Sequence, residues 1–300
     1  MHIEARSLWL PKRGNSEDEY EDAAWTDAAG DAGPMRVAVA DGATEASFSR
    51  QWARVLVRAF GRGRLDAPTI VGDVTRLRAS WQRAMAGRTG ARKLPWYAEQ
   101  KAELGAFAAL VGLELHPAPD APAHVLAAGD EAAAADPATA AEPSAPHWRA
   151  MAVGDSNLFL VRRGALELAF PLVRAEQFSG GPFLIGSTAD DPADALRRRV
   201  HTVAGELLPG DTFWLMSDAL ACWFLRRHEQ GELPWRALAL LFDGDEPEQR
   251  FARLVAELRD ERLLQNDDVT LVRVACEPAV APGEPGPGTY WIEADETTPF

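Results

Sequence analysis

The sequence predicts an α+β fold in which antiparallel sheets are flanked by helices. Short apolar runs suited to buried strands come in groups, and amphipathic stretches with helical spacing lie between the groups. No internal repeat is visible, and strands do not alternate strictly with helices as in a doubly wound sheet. Three hundred residues suit one large domain or two small ones, and 47% hydrophobic content with ten tryptophans is enough for a sizeable core.

Residues 35–40 (Met-Arg-Val-Ala-Val-Ala) read as a buried strand ending at Asp41-Gly42. Phe48, Trp52, Val55, Leu56, Ala59 and Phe60 then recur at helical spacing, with Thr44 or Ser47 available as a cap and Gly61 and Gly63 ending the helix. A second amphipathic stretch covers 70–85, with Val74, Leu77, Trp81 and Met85 on one face. Leu94 to Tyr97 reads as a loop packed by aromatics, and 107–115 as another strand. Residues 117–147 are rich in Ala and Pro with almost no large apolar side chains, the composition of a disordered insertion. Strands follow at 148–153 and 158–162, and Gly154-Asp155-Ser156-Asn157 between them reads as a hairpin turn. Arg163-Gly164 turns the chain into a strand at 165–170. Thr212–Met216 is a strand leading through Asp218 into a helix at 219–227, 247–262 is a further helix, and 269–274 is the last strand. From residue 277 onward proline and glycine dominate, which suggests a mobile tail outside a single domain of residues 1–276.

Five acidic motifs fall at the ends of these apolar runs. They are Glu21-Asp22-Ala23, Asp41-Gly42, Gly154-Asp155-Ser156, Ser217-Asp218-Ala219 and Asn266-Asp267-Asp268-Val269-Thr270. Each alone is an ordinary turn, cap or solvated loop. Together, carboxylates just beyond strand ends can converge on one spot, where they repel unless hard divalent cations lie between them. The pattern suggests a two-metal hydrolase, a chemistry well matched to phosphate esters.

Val39 to Gly42, Ala152 to Ser156, Leu215 to Ala219 and Asn266 to Thr270 resemble, in order and spacing, the motifs of the PP2C (PPM) metal-dependent serine/threonine phosphatases. Lys12 to Ser16 (Lys-x-Gly-Asn-Ser), Leu94 to Tyr97 and Gly105 to Ala108 are similar to segments of a bacterial branch of that family. The likeness covers residues 5–275. It implies a four-layer α-β-β-α sandwich with a metal site at one edge. It also implies two Mn²⁺ or Mg²⁺ ions, with a third bound more weakly, and attack on phosphoserine or phosphothreonine by a hydroxide bridging the ions. By motif match, Asp41 would bridge both metals and the Gly42 carbonyl would complete one sphere. Asp218 and Asp267 would bind the first metal, Asp22 and Glu21 would act on the second, and Asp155 would help hold the third. Asp41, Asp218 and Asp267 are the catalytic core of this assignment.

The chain departs from the family pattern in three places. Arg13-Gly-Asn-Ser-Glu-Asp18 has the Arg-x-x-x-Glu-Asp spacing of animal members, yet Glu21-Asp22-Ala23 fits the Glu-Asp-Ala block better. That choice leaves the substrate phosphate to Lys12 or Arg13 from a longer loop. Ala43 stands where many relatives have histidine, and Ala219 where glycine is common. These departures leave open a pseudophosphatase serving as a binding module, or a phosphatase of small metabolites.

A net charge of −14 argues against nucleic acid and anionic membranes as partners. Two cysteines, Cys222 and Cys276, show neither disulfide nor zinc-ligand spacing. There is no signal-peptide layout and no apolar run near the ~20 residues of a membrane span. The expectation is a cytoplasmic, monomeric enzyme with a phosphoprotein as its partner.

Overall fold

The computed structural model describes residues 1–26, 34–43, 48–91, 105–117, 145–188 and 193–278. The strands are β1 (His2–Leu10), β2 (Ala23–Thr26), β3 (Met35–Gly42), β4 (Phe107–His116), β5 (His147–Val153), β6 (Asn157–Arg162), β7 (Ala165–Phe170), β8 (Ile185–Gly186), β9 (His201–Glu206), β10 (Thr212–Met216) and β11 (Val269–Glu277). The helices are α1 (Ser49–Gly61), α2 (Ile70–Ala91), α3 (Ala193–Arg199), α4 (Asp218–Glu229), α5 (Pro234–Leu240) and α6 (Pro247–Asp260).

Two antiparallel sheets face each other. One has the order β1-β11-β10-β6-β7, the other β2-β3-β4-β5-β9, with β8 paired to the start of β4. The two-residue period of a strand sorts the side chains into layers. In β3, Val37 and Val39 point into the layer between the sheets, where they meet Val111, Leu158, Leu215 and Val272. Ala38 and Ala40 of the same strand point outward, where Trp52, Leu56 and Phe60 of α1 pack. On the far side, Trp214 and Met216 of β10 meet Leu220 and Phe224 of α4 and Phe251 and Val255 of α6. Strands apolar on both faces must be covered on both faces. The result is the α-β-β-α sandwich expected from the sequence.

Close approach between the layers depends on missing side chains. Gly112 of β4 lies under the Phe60 ring, and a Cβ there would stand 2.5 Å from Phe60 Cζ. Trp52 Nε1 donates to the Ile185 carbonyl at 2.8 Å, fixing α1 across β8.

The structure corrects one local reading. Residues 154–157 do not close a hairpin: β5 pairs with β4 and β9, whereas β6 pairs with β10 and β7 in the opposite sheet. Ala150 and Ala152 of β5 and Leu158 and Leu160 of β6 all belong to the layer between the sheets. Crossing the sandwich therefore buries both strands, which a solvated hairpin would not. Gly154 makes the corner at φ +94°, where an added Cβ would lie 2.6 Å from the Ala109 Cβ. The expected hairpin at Arg163-Gly164 does form.

Strands β1, β2 and β9 carry no clear apolar run and were not marked by the sequence. β1 and β2 are edge strands, where polar positions face water. The proposed Thr44 or Ser47 cap, the Leu94–Tyr97 loop, most of the 117–147 insertion and the tail beyond 278 lie outside the described residues.

Replacing Gly112 by Ala should force the Cβ into Phe60 and lower stability by about 1–3 kcal/mol, read from urea denaturation. Gly164→Ala, at a φ of +77° with no atom within 4 Å of the new Cβ, should cost only about 1 kcal/mol. Pairing Gly112→Ala with Phe60→Leu should recover part of the first loss, which locates the cost in that contact.

Candidate metal centre

The strand registers bring the five motifs together. Ala23 of β2 pairs with Ala40 of β3, so the residue before β2 meets the end of β3. Gly42 pairs with Ala108 and Leu110 with Val153, which places the Asp155 corner at the same end. In the other sheet Met216 pairs with both Asn157 and Leu271, so the end of β10, the start of β6 and the start of β11 coincide. Asp22, Asp41, Asp155, Asp218 and Asp267 thus sit at one end of the sandwich, supplied by both sheets.

Their electrostatics reflect this. Burial comes first and drives the Asp41 carboxyl well above the usual carboxylate range, and Asp22, Asp218, Asp155 and Asp267 add to it. Burial, Asp268 and Asp218 push Asp22 up to about 8, against the pull of hydrogen bonds from Thr270 and Ser217. Asp155 rises to about 7 through burial, Asp218 and Asp267. Asp218 is raised by burial and Asp267, while bonds from the Ala219 N–H and to Asp41 hold it back. Among the described residues, none of these five carboxylates forms an ion pair.

Neutral donors hold the group in place. Asp218 opens α4, and its backbone N–H donates to Asp41 Oδ2 at 3.4 Å. The Asp218 carboxylate accepts from the Ala219 N–H, at the positive end of the helix dipole. Thr270 Oγ1 donates to Asp22 Oδ2 at 2.7 Å, and the Tyr20 hydroxyl shares a short hydrogen bond with the same threonine oxygen. Thr270 N–H donates to Ser217 Oγ at 2.9 Å, which joins β11 to the start of α4.

Asp268, given no role by the sequence, is buried and acts as a clamp. Its Oδ1 accepts from the Lys12 N–H at 2.7 Å and its Oδ2 from the Glu21 N–H at 2.6 Å. Arg13 N–H adds a bond to Asn266 Oδ1 at 2.7 Å. The 12–13 and 21–22 segments are thereby strapped onto the loop that carries Asp267. The tandem aspartates Asp267-Asp268 were the signal, but only the fold separates their environments.

Gly42 lies where the Glu21 segment crosses β3. A Cβ there would stand 2.6 Å from the Glu21 carbonyl and 3.1 Å from Ser49. Only glycine allows this approach.

Asp22 is 2% exposed and sits inside the cluster, whereas the Asp18 side chain is fully exposed and faces Arg50 Nη1 at 3.8 Å. Glu21 is half-buried beside Asp22. The Arg13 side chain, expected with Lys12 at the substrate phosphate, is exposed and lies against α6. Its guanidinium is held by Asp260 at 2.8 Å and by the Ala256 carbonyl at 3.3 Å, both on α6. Lys12 keeps its place next to the clamp through its backbone.

Do these residues suit hard divalent cations? Asp22 Oδ1 is buried and has no hydrogen-bond partner, an acceptor left without a donor. Oxygen-only donors, raised carboxyl pKa values and backbone packed against Gly42 all match Mg²⁺ or Mn²⁺. Among the described residues, no group of three or more His, Cys, Asp or Glu side chains is arranged to hold one ion directly. Ions that keep several waters need only one or two carboxylates each, so the fit is to a hydrated pair of ions. A cavity of about 800 Å³ borders Asp218, between Phe178, Trp223, Arg226 and Arg262.

Two predictions follow from the electrostatics and the clamp. Carboxyls with folded pKa values above their unfolded ones keep protons that the unfolded chain has released, so stability falls as pH rises through the folded values. With chelator present, the urea midpoint should drop as pH rises from the unfolded value of 3.8 toward the folded values of Asp155 (about 7) and Asp22 (about 8), with the contribution of each levelling off above its folded value. The slope should approach about 1.4 kcal/mol per pH unit for each proton lost. Added Mn²⁺ should flatten it. Asp268→Ala should leave two backbone N–H groups without acceptors and cost about 2–3 kcal/mol in the same assay.

No family model matches the sequence, and no curated protein matches it. Solved structures do. A bacterial serine phosphatase superposes with a TM-score of 0.55 at 13% identity, over 93% of this chain and 100% of that one. The serine/threonine phosphatase PstP/Ppp of Mycobacterium tuberculosis gives 0.52 at 16% identity, over 92% and 99%. The catalytic domain of PstP in complex with two manganese ions gives 0.51 at 15% identity, over 92% and 100%. Across nearly its whole length, the chain has the fold of the PP2C-type serine/threonine phosphatases.

Proposed function

We propose that the protein is a Mn²⁺- or Mg²⁺-dependent phosphatase that hydrolyses phosphoserine and phosphothreonine in proteins. The observation that carries this reading is the convergence of five aspartates from both sheets, with no cationic side chain among the described residues paired to them and one buried oxygen, Asp22 Oδ1, left without a donor. Such a group is costly by itself and suits a pair of cations. The solved PstP catalytic domain, which shares the fold, is described with two manganese ions.

On this reading Asp41 and the Gly42 carbonyl, with Asp218 and Asp267, would hold a first ion; Asp41, with Asp22 and Glu21, would serve a second, and Asp155 a weaker third. Bound ions would supply Lewis acidity to the phosphoryl oxygens and lower the pKa of water. The chain itself supplies position. Thr270 orients Asp22, the Asp218 N–H orients Asp41, and Asp268 keeps the 12–22 segment over the centre. Lys12 is our candidate for the substrate phosphate. With Ala43 in place of a histidine, the leaving group takes its proton from water. No helix among the described residues is long and apolar enough to cross a membrane. We infer a monomer acting in the cytoplasm on phosphoproteins.

Turnover of p-nitrophenyl phosphate and of a phosphoserine peptide should require Mn²⁺ or Mg²⁺ and vanish with chelator. Asp41→Asn combined with Asp218→Asn should lower kcat by more than the roughly 100-fold seen when an outer partner of a metal ligand is lost. Circular dichroism should show the variant folded. Activity that survives the double substitution sinks the assigned centre. Well-folded wild-type protein that binds Mn²⁺ but turns nothing over would favour a binding module.

A further inference from the structure

The cleft beside Asp22 is basic on one wall, in a protein whose net charge is −14. Arg50, Arg54 and Arg58 lie one helical turn apart on α1 and line a groove of about 500 Å³ together with Trp9, Tyr20 and Asp22. The groove runs between β1 and β2, the edge strands of the two sheets. It shares Tyr20, Asp22 and Thr270 with the carboxylate centre, so the two are contiguous.

Like charges at i and i+4 destabilise a helix, and neighbouring acids would relieve this cheaply. Arg50 is engaged, donating to the Asp18 carbonyl at 2.8 Å. Arg54 and Arg58 are exposed, and neither has an ion-pair partner among the described residues. The Arg54 guanidinium pKa is lowered by partial burial, then by Arg50 and Arg58. Forty-five acidic residues were available to pair with them. In the same lining the Trp9 ring, 43% exposed, packs on the buried Tyr20 ring with centroids 4.7 Å apart. An exposed Trp9 ring beside a cationic wall suits an extended peptide carrying negative charge.

We propose that this groove binds an Asp/Glu-rich segment flanking the phosphorylated residue of the substrate, its carboxylates set against Arg54 and Arg58. The inference rests on the phosphatase reading for its substrate, but the groove itself can be tested without turnover. Acidic flanks would be drawn in by the arginines while the phosphate is delivered to the adjoining centre. Neutral flanks would gain nothing from this wall.

Phosphoserine peptides with acidic or neutral flanks, and p-nitrophenyl phosphate as a flankless substrate, should be compared on wild type and Arg54→Glu/Arg58→Glu, with Mn²⁺. Wild type should favour the acidic peptide by about tenfold in kcat/KM, mainly through KM, as two partly screened charge pairs allow. The preference should shrink with added salt. The charge-reversed variant should lose it, while p-nitrophenyl phosphate and the neutral peptide, which bring no flanking carboxylate to the arginines, stay within about twofold of wild type, the size of one exposed charge interaction. Equal kcat/KM for both peptides on wild type, or equal losses on all three substrates, would overturn the proposal. Fluorescence anisotropy of a labelled acidic peptide in chelator gives a readout that does not need catalysis. Binding by wild type that the variant lacks upholds the groove even if no substrate is turned over, and its absence refutes the groove even if turnover is normal. Should the charge reversal impair folding, Arg54→Gln/Arg58→Gln replaces it, with the same outcomes at smaller amplitude.

Discussion

Buried carboxylates that repel one another are the constraint around which this molecule is arranged. Burial, and then the neighbouring carboxylates, raise the pKa values of Asp22, Asp41, Asp155 and Asp218. A chain could relieve the repulsion by threading an arginine between them. Among the described residues this one instead surrounds them with neutral donors: the Thr270 and Ser217 hydroxyls at Asp22, and the N–H groups at the start of α4. Such donors fix direction without cancelling charge, and the site keeps its demand for cations.

The scaffold holds this arrangement with ordinary packing. Two sheets, apolar on both faces, leave only their ends and edges for polar residues. Antiparallel pairing then stacks the end of one strand on the start of the next, so motifs more than two hundred residues apart meet at one end. At the other end of β4, a compact ionic network closes the sheet. Glu114 is buried there, yet Arg149 and Arg36 outweigh desolvation and its pKa is lowered, the opposite of the aspartate cluster. Two acidic regions on the same sheets thus behave differently because, among the described residues, only one has cationic partners.

Much of this was legible in the sequence. The runs at 35–40, 107–115 and 212–216 are apolar but for Arg36, Glu114 and Thr212, so both their type and their ends stand out, and Asp41 and Asp218 follow the first and the last. The amphipathic stretches at 48–60 and 247–262 were equally plain. The misreading at 154–157 has a simple cause. Glycine at positive φ beside Asp and Ser marks a reversal of direction, but a hairpin and a crossing between sheets share that local geometry. Edge strands β1 and β2 were missed because half their residues face water and their pattern resembles that of a loop.

The sequence by itself determined the class of fold, antiparallel sheets flanked by helices, the supply of aspartates and their positions at the ends of apolar runs, because periodicity and termination are properties of neighbouring residues. Tertiary structure decided which acid of each ambiguous pair enters the cluster. It chose Asp22 over Asp18, made Asp268 a clamp, and turned Arg13 toward Asp260. It also raised the arginines of α1 into a wall beside the centre. A side chain's charge partner depends on strand register and helix packing across distant segments, and no local pattern encodes that distance.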